Sequence, residues 1–403
     1  MIYSDFKGLK LSKLGFGAMR LPLLEDSGSI DTEAVSSMVK YAMEHGVNYF
    51  DTAVPYHGGL SEIVIGDVLK DYPRDSWYLA DKFPGHQHAE SFNPAGTFEL
   101  QLKKCGVEYF DFYLLHNVCE NSMDTYMSKK WGIVEYFVEQ RRLGRVKHLG
   151  FSCHADIDAL RYFLDSEYGK EMEFCQIQLN YLDWTLQKAE EKCRIIAEHN
   201  LPIWVMEPLR GGKLASLPES QADALKSLRP DESVPAWAFR WLQGLPDVKV
   251  VLSGMSNLAQ MKDNVSTFEC SKPLSDSEKE VLMNVAASLH TPVPCTGCRY
   301  CCDGCPMGLD IPTLIAAYND FKLGFSFTPL MRVETLPEDK QPSACLACGA
   351  CSGICPQGLP VPEIMAELAD IYAATPKWAD VCRQRAEEAA RLASAINNNN
   401  RIQ

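Results

Sequence analysis

Two copies of one cysteine pattern constrain this chain more than any other feature of its sequence. Each copy places three cysteines at C-x-x-C-x-x-C spacing and adds a fourth, followed by proline, after three further residues. The copies comprise Cys295, Cys298, Cys301 and Cys305, and then Cys345, Cys348, Cys351 and Cys355. Two-residue gaps allow three thiolates on one tight loop to converge on the corners of an iron–sulfur cube. The pattern therefore predicts iron–sulfur clusters between residues 295 and 355.

The order of the cysteines indicates which of them share a cluster. Structural zinc sites are the alternative, but they generally pair two C-x-x-C knuckles. In two-cluster ferredoxins the fourth cysteine of each run binds the other cluster. This rule assigns Cys295, Cys298, Cys301 and Cys355 to one 4Fe-4S cluster, and Cys345, Cys348, Cys351 and Cys305 to a second. Cys302 is an extra thiol beside Cys301, and the spacing favours Cys301 as the ligand.

Short apolar runs alternate with longer segments of helical period over residues 13–265. This alternation is typical of repeated βα units. The runs predicted as strands are residues 14–19, 47–53, 77–83, 110–116, 147–152, 174–180, 202–207 and 248–254. Eight strands with their crossovers in about 250 residues predict an α/β fold, a (β/α)8 TIM barrel. A doubly wound open sheet is the alternative, but GFGAMR at 15–20 lacks the third glycine of its G-x-G-x-x-G motif.

The alternation ends after residue 270, which suggests a division of the chain. We expect the barrel over residues 1–275 and a linker helix over 276–290. A small ferredoxin-like iron–sulfur domain is expected over 291–372, and a C-terminal helix with a polar tail over 373–403. The tail, INNNNRIQ, has little to bury and is expected to fray.

The charge balance and hydropathy exclude several classes of partner. Asp and Glu number 53 against 39 Lys and Arg, and the net charge of −14 repels nucleic acid and anionic lipid. We therefore expect no nucleic-acid partner. No apolar run approaches the roughly 18 residues needed to span a bilayer, so no membrane partner is expected either. The first residues lack the charged-then-apolar order of a signal peptide, which predicts a cytoplasmic protein.

Polar residues close three neighbouring predicted strands. Asp51 ends the second strand, Lys82 the third and His116 the fourth, while Tyr56 follows Asp51 in a loop. Active sites of (β/α)8 barrels lie at the carboxyl ends of the strands, so we expect these side chains to meet. Tyrosine has a pKa near 10 and transfers protons at neutral pH when a cation lies beside it. The arrangement predicts proton transfer to a carbonyl oxygen.

Several short motifs occur in a fixed order over residues 14–265. They are FDTA with Tyr56 in the following loop, then SE, ADK, YLLH, GFS, QIQLNY, MEPLRGG and SGMS. In this order the motifs resemble those of the aldo-keto reductases, in the subgroup that carries a C-terminal bacterial-type two-cluster ferredoxin domain. The resemblance implies a nicotinamide cofactor, NADP or NAD. It also implies that Asp51, Tyr56, Lys82 and His116 form the family's catalytic tetrad.

The resemblance further implies a set of cofactor contacts. They are Ser152, Gln176 and Met206 around the nicotinamide, and Gly254, Met255, Ser256, Gln260 and Asn264 around the adenosine phosphate. The chain departs from the family at three places. Cys153 stands where Asn is frequent, Met206 where an aromatic residue is frequent, and Gln260 where Arg is frequent.

These observations favour an enzyme that interconverts a small-molecule carbonyl compound and its alcohol. Two 4Fe-4S clusters would exchange electrons with the barrel or with a redox partner protein. The alternative is an iron–sulfur electron-transfer protein whose barrel is a scaffold or a flavin-binding module, because barrels bind flavin phosphate without a diagnostic motif. A weaker alternative makes the clusters a redox sensor.

Overall fold

A computed structural model describes residues 1–399 apart from 88–90, 290–292, 294, 296, 323–326 and 356. The chain divides into two compact units. One contains residues 1–288 and the residues from 385 onward, and the other contains residues 289–384. Pro356, which follows the last cysteine of the second motif, lies outside the described residues.

Eight parallel strands close a barrel in the first unit. The strands of the described residues are β1 (Tyr3–Phe6), β2 (Leu9–Ser12), β3 (Leu14–Gly17), β4 (Tyr49–Asp51), β5 (Tyr78–Phe83), β6 (Phe110–Val118), β7 (Val146–Cys153), β8 (Cys175–Gln178), β9 (Ile203–Met206) and β10 (Val248–Ser253). Strands β3 to β10 form the barrel, and β10 pairs with both β9 and β3. The predicted (β/α)8 barrel is confirmed. The open-sheet alternative is wrong because β10 pairs with the first barrel strand and leaves no edge.

The antiparallel hairpin β1–β2 precedes the barrel and was missed by the sequence analysis. Lys7 and Gly8 both have positive φ angles, 50° and 83°, which is the conformation of a tight hairpin turn. Phe6 packs with inward-facing residues from the first halves of the barrel strands, its ring centroid 5.1 Å from Trp204 and 5.7 Å from Phe112. The hairpin therefore closes the amino end of the barrel and leaves the carboxyl end for function.

Helices follow the barrel strands and build most of the second unit. In the described part of the chain they are α1 (Thr32–Glu44), α2 (Ser61–Leu69), α3 (Pro94–Cys105), α4 (Met123–Tyr126), α5 (Ile133–Arg142), α6 (Ile157–Asp165), α7 (Asp183–Leu186), α8 (Ala189–Glu198), α9 (Glu219–Lys226), α10 (Val234–Gln243), α11 (Leu258–Glu269), α12 (Asp276–Ser288), α13 (Tyr300–Asp303), α14 (Ile311–Lys322), α15 (Phe327–Glu334), α16 (Ala350–Ile354), α17 (Val361–Ala374) and α18 (Trp378–Asn399). Side chains cap several of them: Asp31 accepts from the backbone of Ala34 to start α1, and Asn257 accepts from Gln260 to start α11.

The second unit has a hydrophobic core of its own. Leu314 on α14 and Met365 and Leu368 on α17 are fully buried in it, and Cys301 and Cys351 lie at its edge. The cysteine loops are thus anchored on a packed pair of helices.

Helix α18 runs further than the sequence predicted. The polar tail was expected from Ile396, but the helix continues to Asn399. Asparagine is a weak helix former without the disruptive effect of glycine or proline, so a well-formed helix extends into such a run. Residues 400–403 lie outside the described residues.

A helix that crosses a bilayer must be both long and apolar. Within the described ranges, every helix is too short or too polar to cross a bilayer.

The packing of the hairpin β1–β2 against the amino end of the barrel leads to a prediction about stability. Replacing Phe6 with Ala removes a 3 % exposed ring from the barrel end and should lower the free energy of unfolding by about 3–4 kcal/mol. Urea unfolding followed by near-ultraviolet circular dichroism measures the change. Tyr3→Ala on the same hairpin is the control, since Tyr3 is 37 % exposed. An equal loss of unfolding free energy in the two variants would contradict a specific role of Phe6 in closing the barrel end.

Candidate active site and cysteine cavities

The strand order brings the four predicted tetrad residues to one end of the barrel. Asp51 is the last residue of β4, and Lys82 and His116 lie near the ends of β5 and β6. Tyr56 begins a short 3-10 helix, Tyr56–Gly59, that follows β4. Because β4, β5 and β6 are neighbours in the closed sheet, their carboxyl ends meet.

The ammonium group of Lys82 holds the centre of this site. Lys82 Nζ lies 2.6 Å from Asp51 Oδ1 and donates to the backbone carbonyl of Thr52 at 2.8 Å. The Tyr56 hydroxyl is 3.4 Å from the same nitrogen. The Lys82 side chain is fully buried, so its charge depends on the carboxylate of Asp51.

Burial and the charge of the partner have opposite effects on the pKa values of Lys82 and Asp51. Burial lowers the pKa of Lys82, but the charges of Asp51 and Tyr56 raise it by more, and the net shift is upward. Burial raises the pKa of Asp51 against the opposing effect of Lys82. The short contact keeps both groups ionised at neutral pH, since separating either charge from its partner in a dry site is costly.

Tyr56 retains its proton at neutral pH. Burial raises the pKa of Tyr56 above its usual value of 10.0, by more than the neighbouring ammonium of Lys82 lowers it. The sequence alone predicts only the lowering effect of the cation on this pKa. In the folded site the phenol is therefore a proton donor. The positive charge of Lys82 makes the increase in the pKa of Tyr56 smaller.

His116 is neutral and faces Tyr56. Burial lowers the pKa of His116 well below 6.5, and the positive charges of nearby groups add to the shift. The ring lies perpendicular to that of Tyr56, with centroids 6.1 Å apart. Among the described residues His116 Nδ1 has no hydrogen-bond partner. A neutral imidazole beside a phenol can orient a carbonyl oxygen without competing for its proton.

A cluster of buried ionisable side chains lies next to the backbone of Lys82. The sequence did not indicate that these side chains support the site. Glu62, the acid of the SE motif, forms a salt bridge with Lys104, and both side chains are buried. Asp81 accepts a hydrogen bond from the backbone of Lys82 at 2.8 Å. Burial and the charge of Glu62 raise the pKa of Asp81 well above its usual value. The cluster fixes the backbone of β5 where it presents Lys82.

The residues expected around a nicotinamide lie on three consecutive strands. Gln176 Nε2 is 3.7 Å from the Met206 sulfur, and Gln176 Oε1 is buried without a partner in the described part of the chain. Ser152 Oγ accepts from the backbone of Asn117 at 2.8 Å. The free buried oxygen of Gln176 fits a ligand that donates a hydrogen bond, such as a carboxamide.

The residues expected around the adenosine phosphate follow β10, and two of them bond to each other. The backbone of Ser256 donates to Gln260 Oε1 at 2.8 Å, and Asn264 Nδ2 donates to the Ser253 hydroxyl at 3.0 Å. Gly254 is exposed and Met255 is buried.

Arg20 is a cationic neighbour that the sequence analysis did not select. Its backbone carbonyl accepts from the Ser256 hydroxyl at 3.0 Å. A Cβ placed on Gly254 would lie 3.3 Å from the Arg20 side chain. Arg20 follows β3 in the GFGAMR segment, and a lone arginine after a strand is too common a feature to be informative.

Two cavities in the second unit collect the eight predicted cluster ligands. One is lined by Cys295, Cys298, Cys301 and Cys355 together with Arg299, Pro312, Ile315, Gln357, Leu359 and Val361. The other is lined by Cys305, Cys345, Cys348 and Cys351 together with Pro306, Met307, Leu309, Leu346, Ile311, Val361, Pro362 and Met365. Each cavity therefore takes three cysteines from one motif and the fourth from the other. Four thiols around an apolar space fit an iron–sulfur cube.

The two cysteine loops have the same backbone shape. Gly297 and Ala347, at matching positions, have φ angles of 67° and 52°. Arg299 and Gly349, two residues further on, have φ angles of 66° and 77°. Left-handed residues at both places turn the chain tightly enough to aim three thiols at one point. Cys302 is not among the residues that line either cavity.

Comparisons with known proteins agree with these two parts. The model of the aldo/keto reductase family matches residues 13–285, and that of the 4Fe-4S dicluster domain matches residues 294–359. The NADH-specific methylglyoxal reductase of Escherichia coli (strain K12) is 22% identical over 328 residues, covering 70% of this chain and 97% of that protein.

Solved structures resemble the barrel. The holo form of aldo-keto reductase AKR11C1 from Bacillus halodurans has a TM-score of 0.55 and 26% identity, covering 69% of this chain and 93% of that chain. An aldo/keto reductase from Klebsiella pneumoniae, in complex with NADP and acetate, has a TM-score of 0.56 and 17% identity, covering 70% of this chain and 93% of its own.

The buried cluster behind Lys82 gives a second prediction. Glu62→Ala leaves the Lys104 ammonium buried without its carboxylate and should lower the free energy of unfolding by about 3–5 kcal/mol. Asp67→Ala is the control, since Asp67 pairs with Lys70 on the surface and such pairs contribute about 1 kcal/mol or less. Urea unfolding compares them. A Glu62 variant as stable as the Asp67 variant would show that the buried pair does not support this strand.

Proposed function

This chain belongs to the aldo/keto reductase family, and we propose that it is an NAD(P)-dependent oxidoreductase that interconverts a carbonyl group and an alcohol on a small molecule. The observation that carries the proposal is the Lys82 ammonium, held 2.6 Å from Asp51 and 3.4 Å from the Tyr56 hydroxyl. A protonated phenol beside a fixed cation is suited to general acid catalysis at neutral pH.

Each tetrad residue has a distinct role in this proposal. Tyr56 donates its proton to the substrate oxygen during reduction and accepts it during oxidation. Lys82 stabilises the phenolate left behind, and Asp51 keeps Lys82 charged and in place. His116, neutral, hydrogen-bonds the substrate carbonyl and fixes its distance from Tyr56.

NADP or NAD is the proposed cofactor of the barrel. Ser152, Gln176 and Met206 would hold the nicotinamide ring, where the unpaired Gln176 oxygen accepts from the carboxamide. Gly254, Met255, Ser256, Gln260 and Asn264 would line the adenosine phosphate, with Arg20 supplying a positive charge nearby. When bound, the nicotinamide supplies or takes up a hydride at the carbonyl carbon.

Two 4Fe-4S clusters are proposed for the second unit. Cys295, Cys298, Cys301 and Cys355 would hold one, and Cys305, Cys345, Cys348 and Cys351 the other, as the cavity linings suggest. Backbone N–H groups of Leu309 and Ala347 donate to the sulfurs of Cys305 and Cys345, at 3.5 and 3.4 Å, and such bonds tune a cluster's potential. The clusters would pass single electrons to the barrel site or to a redox partner protein.

We also propose a domain organisation and a cytoplasmic location for this protein. We assign residues 1–275 to the reductase domain, 276–290 to a linker helix, 291–372 to the cluster domain and 373–403 to a C-terminal segment. Cluster cysteines must remain reduced thiols until iron is inserted, which suits a cytoplasmic protein.

Replacing the proposed proton donor tests the barrel chemistry. Tyr56→Phe should lower kcat for NAD(P)H-dependent aldehyde reduction by a factor of about 100 or more and leave the nucleotide Kd unchanged. Because the pKa of Tyr56 is raised above 10.0, the wild-type rate of reduction should stay constant from pH 6 to 9 and fall only at higher pH. Stopped-flow absorbance at 340 nm measures both. Tyr162→Phe, an exposed tyrosine, is the control.

A Tyr56→Phe enzyme that retains most of its rate would remove Tyr56 as the proton donor. Wild-type protein that binds neither nucleotide would instead favour the electron-transfer alternative. Flavin bands in the purified protein would assign the barrel a flavin.

Cysteine pairs test the crossed ligand assignment. Cys305→Ala and Cys348→Ala should each remove about half of the iron, and the double variant should lose no more than either single variant, because both cysteines serve one cluster. Cys348→Ala combined with Cys355→Ala should remove nearly all of it. Iron analysis and electron paramagnetic resonance report the result. Cys302→Ala, the control, should keep its full iron content.

Additive iron loss in the Cys305 and Cys348 pair would contradict the crossed assignment. Iron loss in Cys302→Ala would make that residue a ligand.

A further inference from the structure

Strand β4 is shorter than its neighbour β5, and β4 has ended at the level of Lys82. The backbone groups of Tyr78 and Ala80 face β4, since Tyr78 N–H donates to Asn48 O at 2.7 Å and Ala80 O accepts from Thr52 N–H at 2.9 Å. Every second residue of a parallel strand faces the same neighbour, so the backbone groups of Lys82 also point to the β4 side. The strand ladder therefore leaves these groups to other partners.

Two side chains bond to the backbone of Lys82 in place of a strand. Its N–H donates to Asp81 Oδ1 at 2.8 Å, and its carbonyl accepts from Gln101 Nε2 at 3.1 Å. Gln101 lies on α3 and is 1% exposed. The hydroxyl of Tyr113 on β6 donates to Gln101 Oε1, which directs the amide nitrogen toward Lys82. The amide of Gln101 thus ties the end of β5 to α3 and β6.

Close packing of α2 against α3 fixes the position of Gln101. A Cβ on Gly66 of α2 would clash with the backbone of Cys105 on α3, so the two helices are in direct contact at this glycine. Glu62 of α2 and Lys104 of α3 join the same helices through their buried salt bridge. A shift of α3 along the barrel would break both contacts.

The contact of Lys82 with Tyr56 is the most sensitive to a displacement of β5. Lys82 Nζ lies 2.6 Å from Asp51 Oδ1 and 2.8 Å from the Thr52 carbonyl, but 3.4 Å from the Tyr56 hydroxyl. Because this last distance exceeds the usual range of about 2.7–3.2 Å, a small movement of the strand separates the ammonium from the phenol first. A misplacement of about 1 Å can lower a catalytic rate about 100-fold.

We propose that Gln101 is a positioning residue for proton transfer, which sets the distance between the Lys82 ammonium and the Tyr56 hydroxyl by holding the backbone carbonyl of Lys82. The inference rests on the proposed reductase function of the same site. When Tyr56 gives its proton to the substrate oxygen, the phenolate forms beside an ammonium whose place is already fixed. Gln101 acts on this step through Lys82 and touches no reacting atom.

Gln101→Met tests the proposal, because it removes both hydrogen bonds of the amide and keeps an unbranched side chain. The kcat for NAD(P)H-dependent aldehyde reduction should fall about tenfold, while KM and the nucleotide Kd stay unchanged. Tyr113→Phe, which frees the Gln101 oxygen, should lower kcat by less. Gln140→Met is the matched control, since Gln140 is a buried glutamine of α5 that accepts from Arg145 at 3.1 Å. It should leave kcat unchanged.

The pH profile separates positioning from a general loss of structure. In the part of the chain that the structure describes, the charged and titratable groups that act on Tyr56 are Lys82, Asp51, Glu207 and His116. Lys82 lowers the pKa of Tyr56, so a displaced ammonium raises that pKa further. Alcohol oxidation requires the Tyr56 phenolate, and its rate should therefore rise at higher pH in Gln101→Met than in the wild type. A lower rate with the wild-type pH profile would show a structural role only and overturn the proposal.

A measurement without turnover separates this inference from the proposed function. Iron-loaded protein is prepared with tyrosine isotopically labelled at Cζ, and the nuclear magnetic resonance signal of Tyr56 is identified by its loss in Tyr56→Phe. The signal should shift in Gln101→Met, because it senses the charge beside the phenol oxygen, and should not shift in Gln140→Met.

A shifted signal in a protein that reduces no carbonyl compound would defeat the proposed function and keep the role of Gln101 in placing Lys82. An unshifted signal would overturn that role. Carbonyl reduction by Gln101→Met at the wild-type rate would also overturn it, and would leave the reductase function standing.

Discussion

The buried ion pair between Lys82 and Asp51 is the interaction on which the barrel mouth depends. An ammonium group in a dry site is tolerated only when a carboxylate faces it, and the 2.6 Å contact meets that need. The pair exists because β4 and β5 are neighbours whose register places Asp51 opposite Ala80, two residues before Lys82. The position of Tyr56 then follows, since its hydroxyl has the ammonium as a neighbour. A change in strand register would therefore abolish the site while preserving a barrel.

Strand β5 carries charge on both faces, which is unusual in a parallel sheet. Successive residues of a strand point to opposite sides, so Lys82 faces the barrel interior and Asp81 faces the surrounding helices. The outer face is closed by Glu62 from α2 and Lys104 from α3. The helices thus do more than cover apolar surface, because burial and the charge of Glu62 raise the pKa of Asp81, whose backbone neighbour is the central cation of the site.

Local signals explain what the sequence revealed and what it hid. Asp51, Lys82 and His116 were found because each ends an apolar run, and barrel topology then places strand ends together. The hairpin β1–β2 was missed, although alternating residues on both sides of Lys7-Gly8 carried a signal for it. Arg20 was missed because a lone arginine after a strand is too common a feature to be informative.

Val361 lines both cysteine cavities, so a single side chain forms part of the wall between them. With a cube in each cavity, the two metal centres would be close enough for rapid electron exchange and for their unpaired spins to interact. A hydride carries two electrons and each cube stores one. If the proposed clusters exchange electrons with the barrel site, the two of them together would store the two electrons of one hydride, whereas a single cluster would store only one.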